Sequence, residues 1–290
     1  MNEAQALGAV RRQRGPSANR ALTWGHKARY LQVCIALVCF ASVWACFESR
    51  PVARDAGARI DQGISIDVRY GPPTKVTSEQ AQHLEEAVRR RLLVPGLPPD
   101  VLQGRRIQVN LVAETELGVD AVTFPLGRAV ALPADQVLEW DSVHLDRVVR
   151  HEIAHVALRA FFDGASLPVW LEEGFPEWVA GGLDCVGEAR VRLAVVTNAR
   201  RGLAPYRLFH SVRERPSRLA YDLYGTFLTY LEQRQPNVVA SGDFLAAVRD
   251  QGIDAGVRAA TGAGLEDLEV EWQRHIAEKY GSVPHAYSCR

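Results

Sequence analysis

No C-x-x-C pair occurs anywhere in the 290 residues, which removes zinc-ribbon and thioredoxin-type readings. Cysteine is scarce altogether. Cys34, Cys39 and Cys46 fall in one apolar stretch, and only Cys185 and Cys289 belong to the rest. Lysine is nearly missing too, with Lys27, Lys75 and Lys279 against 31 arginines, a bias that speaks of a GC-rich genome rather than of a mechanism. Neither sign of charge is in excess: the formal net charge is zero, so no overall field favours nucleic acid as a partner. What remains is an ordinary globular composition, 47% hydrophobic and 23% charged, in a chain long enough for one large domain or two modest ones.

One long uncharged run is present. Tyr30 to Phe47 reads YLQVCIALVCFASVWACF, which as a helix would extend roughly 27 Å, close to the hydrocarbon thickness of a bilayer. Residues 1–29 hold Arg11, Arg12, Arg14, Arg20, Lys27 and Arg29 against the single acid Glu3, and Glu48 follows the run. The positive-inside bias then predicts a single-pass transmembrane anchor over 30–47, with a cytoplasmic basic tail and the bulk of the chain outside, periplasmic in a Gram-negative cell. A cleaved signal peptide competes with this, since Val43 and Ala45 suit a cleavage site, whereas a buried core helix fits poorly beside so many positive charges. Export would put Cys185 and Cys289 in an oxidising compartment, where their pairing stays open.

Residues 48–60 (ESRPVARDAGARI) read as a linker, and a domain is expected over 61–282 with a tail at 283–290. Gly63 to Tyr70 alternates Ile64, Ile66 and Val68 with Ser65, Asp67 and Arg69, the signature of a half-buried strand. Thr77-x-x-Gln80 opens a helix with Leu84, Val88 and Leu92 on its apolar stripe, and Pro95 to Pro99 closes it. Ile107, Val109 and Leu111 predict a second strand, and Val122 to Leu132 one or two short ones. After residue 142 the spacing becomes helical, with helices expected over 143–161, 170–181, 186–199, 219–234, 243–250 and 265–280. The fold class is therefore α+β: a small N-terminal mixed sheet with one helix, packed on a mainly helical C-terminal half.

His151-Glu152-Ile153-Ala154-His155 is an H-E-x-x-H within one of these helices. Residues four apart share a helical face, so both imidazoles point at one spot. Glu152, one position along, can reach a water at that spot without being a ligand. The pattern supplies two metal ligands and a general base. A catalytic zinc needs a third protein ligand and an open position. Trp170-Leu-Glu-Glu-Gly-Phe-Pro-Glu-Trp178 offers Glu172, Glu173 and Glu177 shortly downstream.

Together these two segments resemble the gluzincins, the thermolysin and aminopeptidase group of zinc metallopeptidases in the MA clan. In that group a W-L-x-E-G-x-A-E helix follows H-E-x-x-H by a short interval. Here 17 residues separate His155 from Glu173, the acid that directly precedes Gly174. The resemblance implies Glu173, rather than Glu172, as third ligand, and Glu177 as the acid that orients a ligand histidine. Pro176 departs from the family's small residue and threatens a kink between the two acids. Tyr221-Asp-Leu-Tyr-Gly-Thr-Phe-Leu-Thr-Tyr-Leu231 is similar to the gluzincin segment whose first tyrosine donates to an oxyanion, which implies that role for Tyr221, with Tyr224 and His210 in reserve. The segment 264–272 resembles the closing helix of small bacterial peptidase-like domains of this clan.

The resemblance implies a thermolysin-like core, zinc as cofactor, and hydrolysis of a peptide or protein substrate with Glu152 as base. An intramembrane protease is excluded, because Asp146, Arg147, Arg150 and Arg159 surround the motif. The alternative is a membrane-tethered binding or scaffolding module of low or no activity, against which an intact Glu152 speaks. No sequence feature defines a specificity pocket.

Overall fold

The computed structural model describes residues 64–70, 76–112, 122–123, 129–137, 139–201 and 217–281. All of them belong to the second of the two units into which the chain divides, Ala58–Arg290. The basic tail, the apolar run Tyr30–Phe47, the linker 48–60, His210 and Cys289 lie outside the described residues.

The alternation around Ile66 and Val68 forms strand β1 (Ser65–Tyr70), which pairs in parallel with β2 (Arg106–Val112), setting Ile66 beside Ile107 and Val68 beside Val109. Parallel neighbours need a crossover, and helix α1 (Ser78–Arg89) lies in that connection. Its capping box forms as expected: Gln80 N donates to Thr77 Oγ1 at 3.2 Å and Thr77 N to Gln80 Oε1 at 2.8 Å. Two further strands follow, β3 (Val122–Thr123) and the fully buried β4 (Ala129–Pro133). The sheet order is β1-β2-β4-β3, with β4 parallel to β2 and β3 antiparallel at the edge. The sheet is thus mixed, as expected.

A short helix α2 (Ala134–Val137) leads into α3 (Ser142–Phe161), whose first turn is capped where Asp141 Oδ1 accepts from His144 N at 2.7 Å. Helix α3 packs on α1 and the sheet through a face carrying Leu145, Val149, Ile153 and Val156. The helical half continues with α4 (Val169–Val179), α5 (Cys185–Arg201), α6 (Arg218–Arg234), α7 (Asp243–Gln251), α8 (Ile253–Thr261) and α9 (Leu265–Tyr280). Helix α4 runs through Pro176 without ending there. Cys185 is disulfide-bonded, and every other cysteine of the chain lies outside the described residues.

The expectation of a single-pass membrane protein with an extracytoplasmic domain is corrected here. Among the described residues no helix is long and apolar enough to cross a membrane. A span needs about 20 predominantly apolar residues, and α3, the longest described helix, is interrupted by Asp146, Arg147, Arg150, Glu152 and Arg159.

Helices α4 and α6 approach closely. A Cβ at Gly174 would stand 2.9 Å from the Tyr224 carbonyl oxygen, and backbone cannot move aside as a side-chain tip can. In an open helix, replacing glycine by alanine stabilises by up to about 1 kcal/mol. Overpacking of about 1–3 kcal/mol opposes this at Gly174. Gly174→Ala is therefore expected to destabilise the fold by about 1–2 kcal/mol in urea unfolding. A gain in stability would show that the two helices are not held this tightly.

Candidate metal centre

The helical turn between His151 and His155 brings their Nε2 atoms to 3.1 Å from one another. Glu173, on α4, reaches across so that its Oε2 stands 3.3 Å from His155 Nε2 and 4.0 Å from His151 Nε2. These three side chains form a group of donors lying within 4.8 Å of one another. Tetrahedral ligation with bonds of about 2.0–2.1 Å separates donor atoms by about 3.3–3.4 Å. The observed separations bracket that value, so the residues present fit a zinc-sized divalent cation without rearrangement of the backbone. Exposure fits as well. His151 and Glu173 keep 18% and 19% of their side-chain surface and His155 9%, leaving one side of the cluster open to solvent.

The two imidazoles sit in different electrostatic surroundings. Burial pushes His151 well below its ordinary range, helped by His155, Arg218 and Arg147, so its imidazole is neutral and able to ligate. Burial also acts to lower His155, but the hydrogen bond and charge of Glu173, with Glu152 and Glu172 behind, outweigh it and the net direction is up. Three carboxylates therefore act on one imidazole.

Two neighbouring acids on α4 are sorted by their partners. Glu172 pairs with Arg159 of α3, which draws it away from the donor cluster and leaves Glu173 to complete it. Glu177, one turn after Glu173, is 5% exposed and holds its Oε1 3.6 Å from the Nδ1 of the neutral His151 ring, a polar contact longer than a hydrogen bond. Burial raises the Glu177 carboxyl above its ordinary range although Arg147 and Arg218 pull it down.

Glu152 is 5% exposed and lines a small apolar cavity with Val130 and Leu132 of β4, on the side of α3 that faces the sheet. Tyr221 is pushed up by burial and then by the charges of Glu173, Glu152 and Glu177, so a protonated phenol stands within the field of the cluster. Its neighbour Asp222 is buried and accepts both prongs of Arg190 of α5, at 2.7 and 3.1 Å, which fixes this end of α6. Tyr224, the reserve, is 2% exposed in the core against α4.

Sequence reasoning missed Arg147. It was legible only as a charge before the motif, although its position four residues ahead of His151 puts it on the same helical face. Its Nη2 donates to Glu177 Oε2 at 2.9 Å. Arg218, the first residue of α6, was missed too; its charge acts on His151, Glu177 and Tyr221.

The chain matches no family model and no curated protein.

Proposed function

We propose that this protein is a zinc-dependent peptide hydrolase with a thermolysin-like core of the gluzincin type. The observation that carries the proposal is the convergence of His151 Nε2, His155 Nε2 and Glu173 Oε2 from two helices on one partly open point, with Glu152 adjoining the first histidine. Zinc, when bound by these three side chains, supplies Lewis acidity at the scissile carbonyl. The remaining steps belong to the chain's own residues. Glu152 takes a proton from the attacking water and returns it to the leaving amine. Tyr221, kept protonated by burial and by nearby carboxylates, donates to the oxygen on which negative charge develops. An extended peptide adds to β3, the strand that ends the described sheet on the β4 side.

The test is cleavage of a mixed peptide library by the purified chain, read by mass spectrometry. Cleavage should disappear with a zinc chelator and return on adding zinc. Peptide capture without cleavage by a zinc-loaded chain would instead make it a binding module, and cleavage indifferent to the chelator would remove the metal from the reaction.

A further inference from the structure

Arg147 and His151 share a face of α3, four residues apart. The Arg147 side chain is only 19% exposed, and each of its three guanidinium nitrogens has an oxygen within 4.0 Å. Nη2 donates to Glu177 Oε2 at 2.9 Å, Nη1 donates to the Gly182 carbonyl at 2.6 Å, and Nε stands 4.0 Å from Asp184 Oδ2. Gly182 lies just beyond the end of α4, and its own N–H donates to the Glu177 carbonyl at 2.9 Å. One guanidinium thus grips both the Glu177 carboxylate and the backbone turn that finishes the helix carrying it.

A carboxylate buried as deeply as Glu177 needs a charge or donor partner, and Arg147 supplies one at hydrogen-bond distance. Because Oε2 is held by the guanidinium, Oε1 is the oxygen left to face His151 Nδ1, at 3.6 Å. An imidazole whose Nδ1 side is directed at a carboxylate presents Nε2 to the opposite side, where His155 and Glu173 lie. Lysine could neutralise Glu177 as well, but a single ammonium cannot hold two divergent acceptors in fixed directions.

We propose that Arg147 is a positioning residue of the metal centre: through Glu177 and the Gly182 turn it sets the orientation of the His151 ring. This rests on the reading of His151, His155 and Glu173 as a zinc site. It reaches one layer further out than Glu177, to a residue that touches neither metal nor substrate.

The test uses the full chain as wild type, Arg147→Gln, Arg147→Lys, Glu177→Gln and the double variant Arg147→Gln/Glu177→Gln. Zinc affinity is measured by competition with a chromophoric chelator, ligand geometry by the visible spectrum of the cobalt-substituted protein, and folding by the unfolding midpoint of the metal-free chain. Arg147→Gln is expected to weaken zinc binding by about 10-fold or more and to change the cobalt spectrum in the manner of Glu177→Gln. The double variant should be little worse than Glu177→Gln alone, because both residues act through one ring. Arg147→Lys should recover only part of the affinity, and it carries the test should Arg147→Gln fail to fold. A merely structural ion pair would lower the unfolding midpoint yet leave cobalt spectrum and zinc affinity as in the wild type, and that result in either Arg147 variant would overturn the proposal. So would losses that add fully in the double variant. A wild-type chain that binds neither zinc nor cobalt would sink the metal-centre reading itself, a failure distinct from wild-type binding that Arg147→Gln leaves unchanged.

Discussion

Glu152→Gln is expected to keep its zinc and its fold while peptide hydrolysis drops by about three orders of magnitude, the middle of the range for losing a positioned general base. The drop corresponds to about 4 kcal/mol of barrier. Its origin is simple: an amide cannot accept the proton of the attacking water. Glutamine keeps the volume of the side chain, which matters because Glu152 is 5% exposed and lies against Val130 and Leu132. None of the three converging donor atoms belongs to Glu152, so metal content should stay at about one zinc per chain. Metal analysis and circular dichroism on the variant separate a chemical loss from a folding one. Turnover equal to the wild type in a zinc-loaded Glu152→Gln chain would show that another group deprotonates the water, and the mechanism would have to be rewritten.

Local chemistry was readable in the sequence where one segment determines its own outcome. The capping box at Thr77 and Gln80, the alternation through Ile66 and Val68, and the four-residue spacing of His151 and His155 all act within a turn or a strand. Each takes the form expected of it. The donor convergence needed one non-local fact, that α4 packs across α3, and only the resemblance of the two segments to the gluzincins implied it, through Glu173. Helix α8 escaped notice because Gly252, Gly256 and Gly262 look like breaks in a helical pattern. Gly256 is in fact demanded by packing, since a Cβ there would stand 2.4 Å from Val248 Cα of α7. The strand order β1-β2-β4-β3 was not legible, because pairing between distant strands leaves no periodic trace in either one. Arg147 was overlooked for a similar reason. Its meaning lies in Glu177 and Gly182, 30 and 35 residues away.

The second large effect is expected at Glu173. Removing a side chain that only orients a ligand typically weakens metal binding by about 10–100-fold. On the proposed metal centre Glu173 is one of three ligands, and its removal should exceed that, so Glu173→Ala is expected to weaken zinc binding by at least about 100-fold. At a fixed excess of zinc, a 100-fold loss of affinity removes about 2.7 kcal/mol of metal-dependent stabilisation, which thermal unfolding with and without zinc resolves. Glu172→Ala is the control that gives the result its meaning. The two acids are adjacent, about 100° apart around the helix, and only Glu173 brings an oxygen to 3.3 Å from His155 Nε2. Glu172 is engaged by Arg159, so its loss should loosen the contact between α3 and α4 and leave zinc binding within a few-fold of the wild type. The opposite pattern, with zinc retained by Glu173→Ala and lost by Glu172→Ala, would require α4 to turn by a residue about its axis. Glu177 would then swing away from His151 Nδ1, so that outcome would remove the third ligand and the orienting acid together.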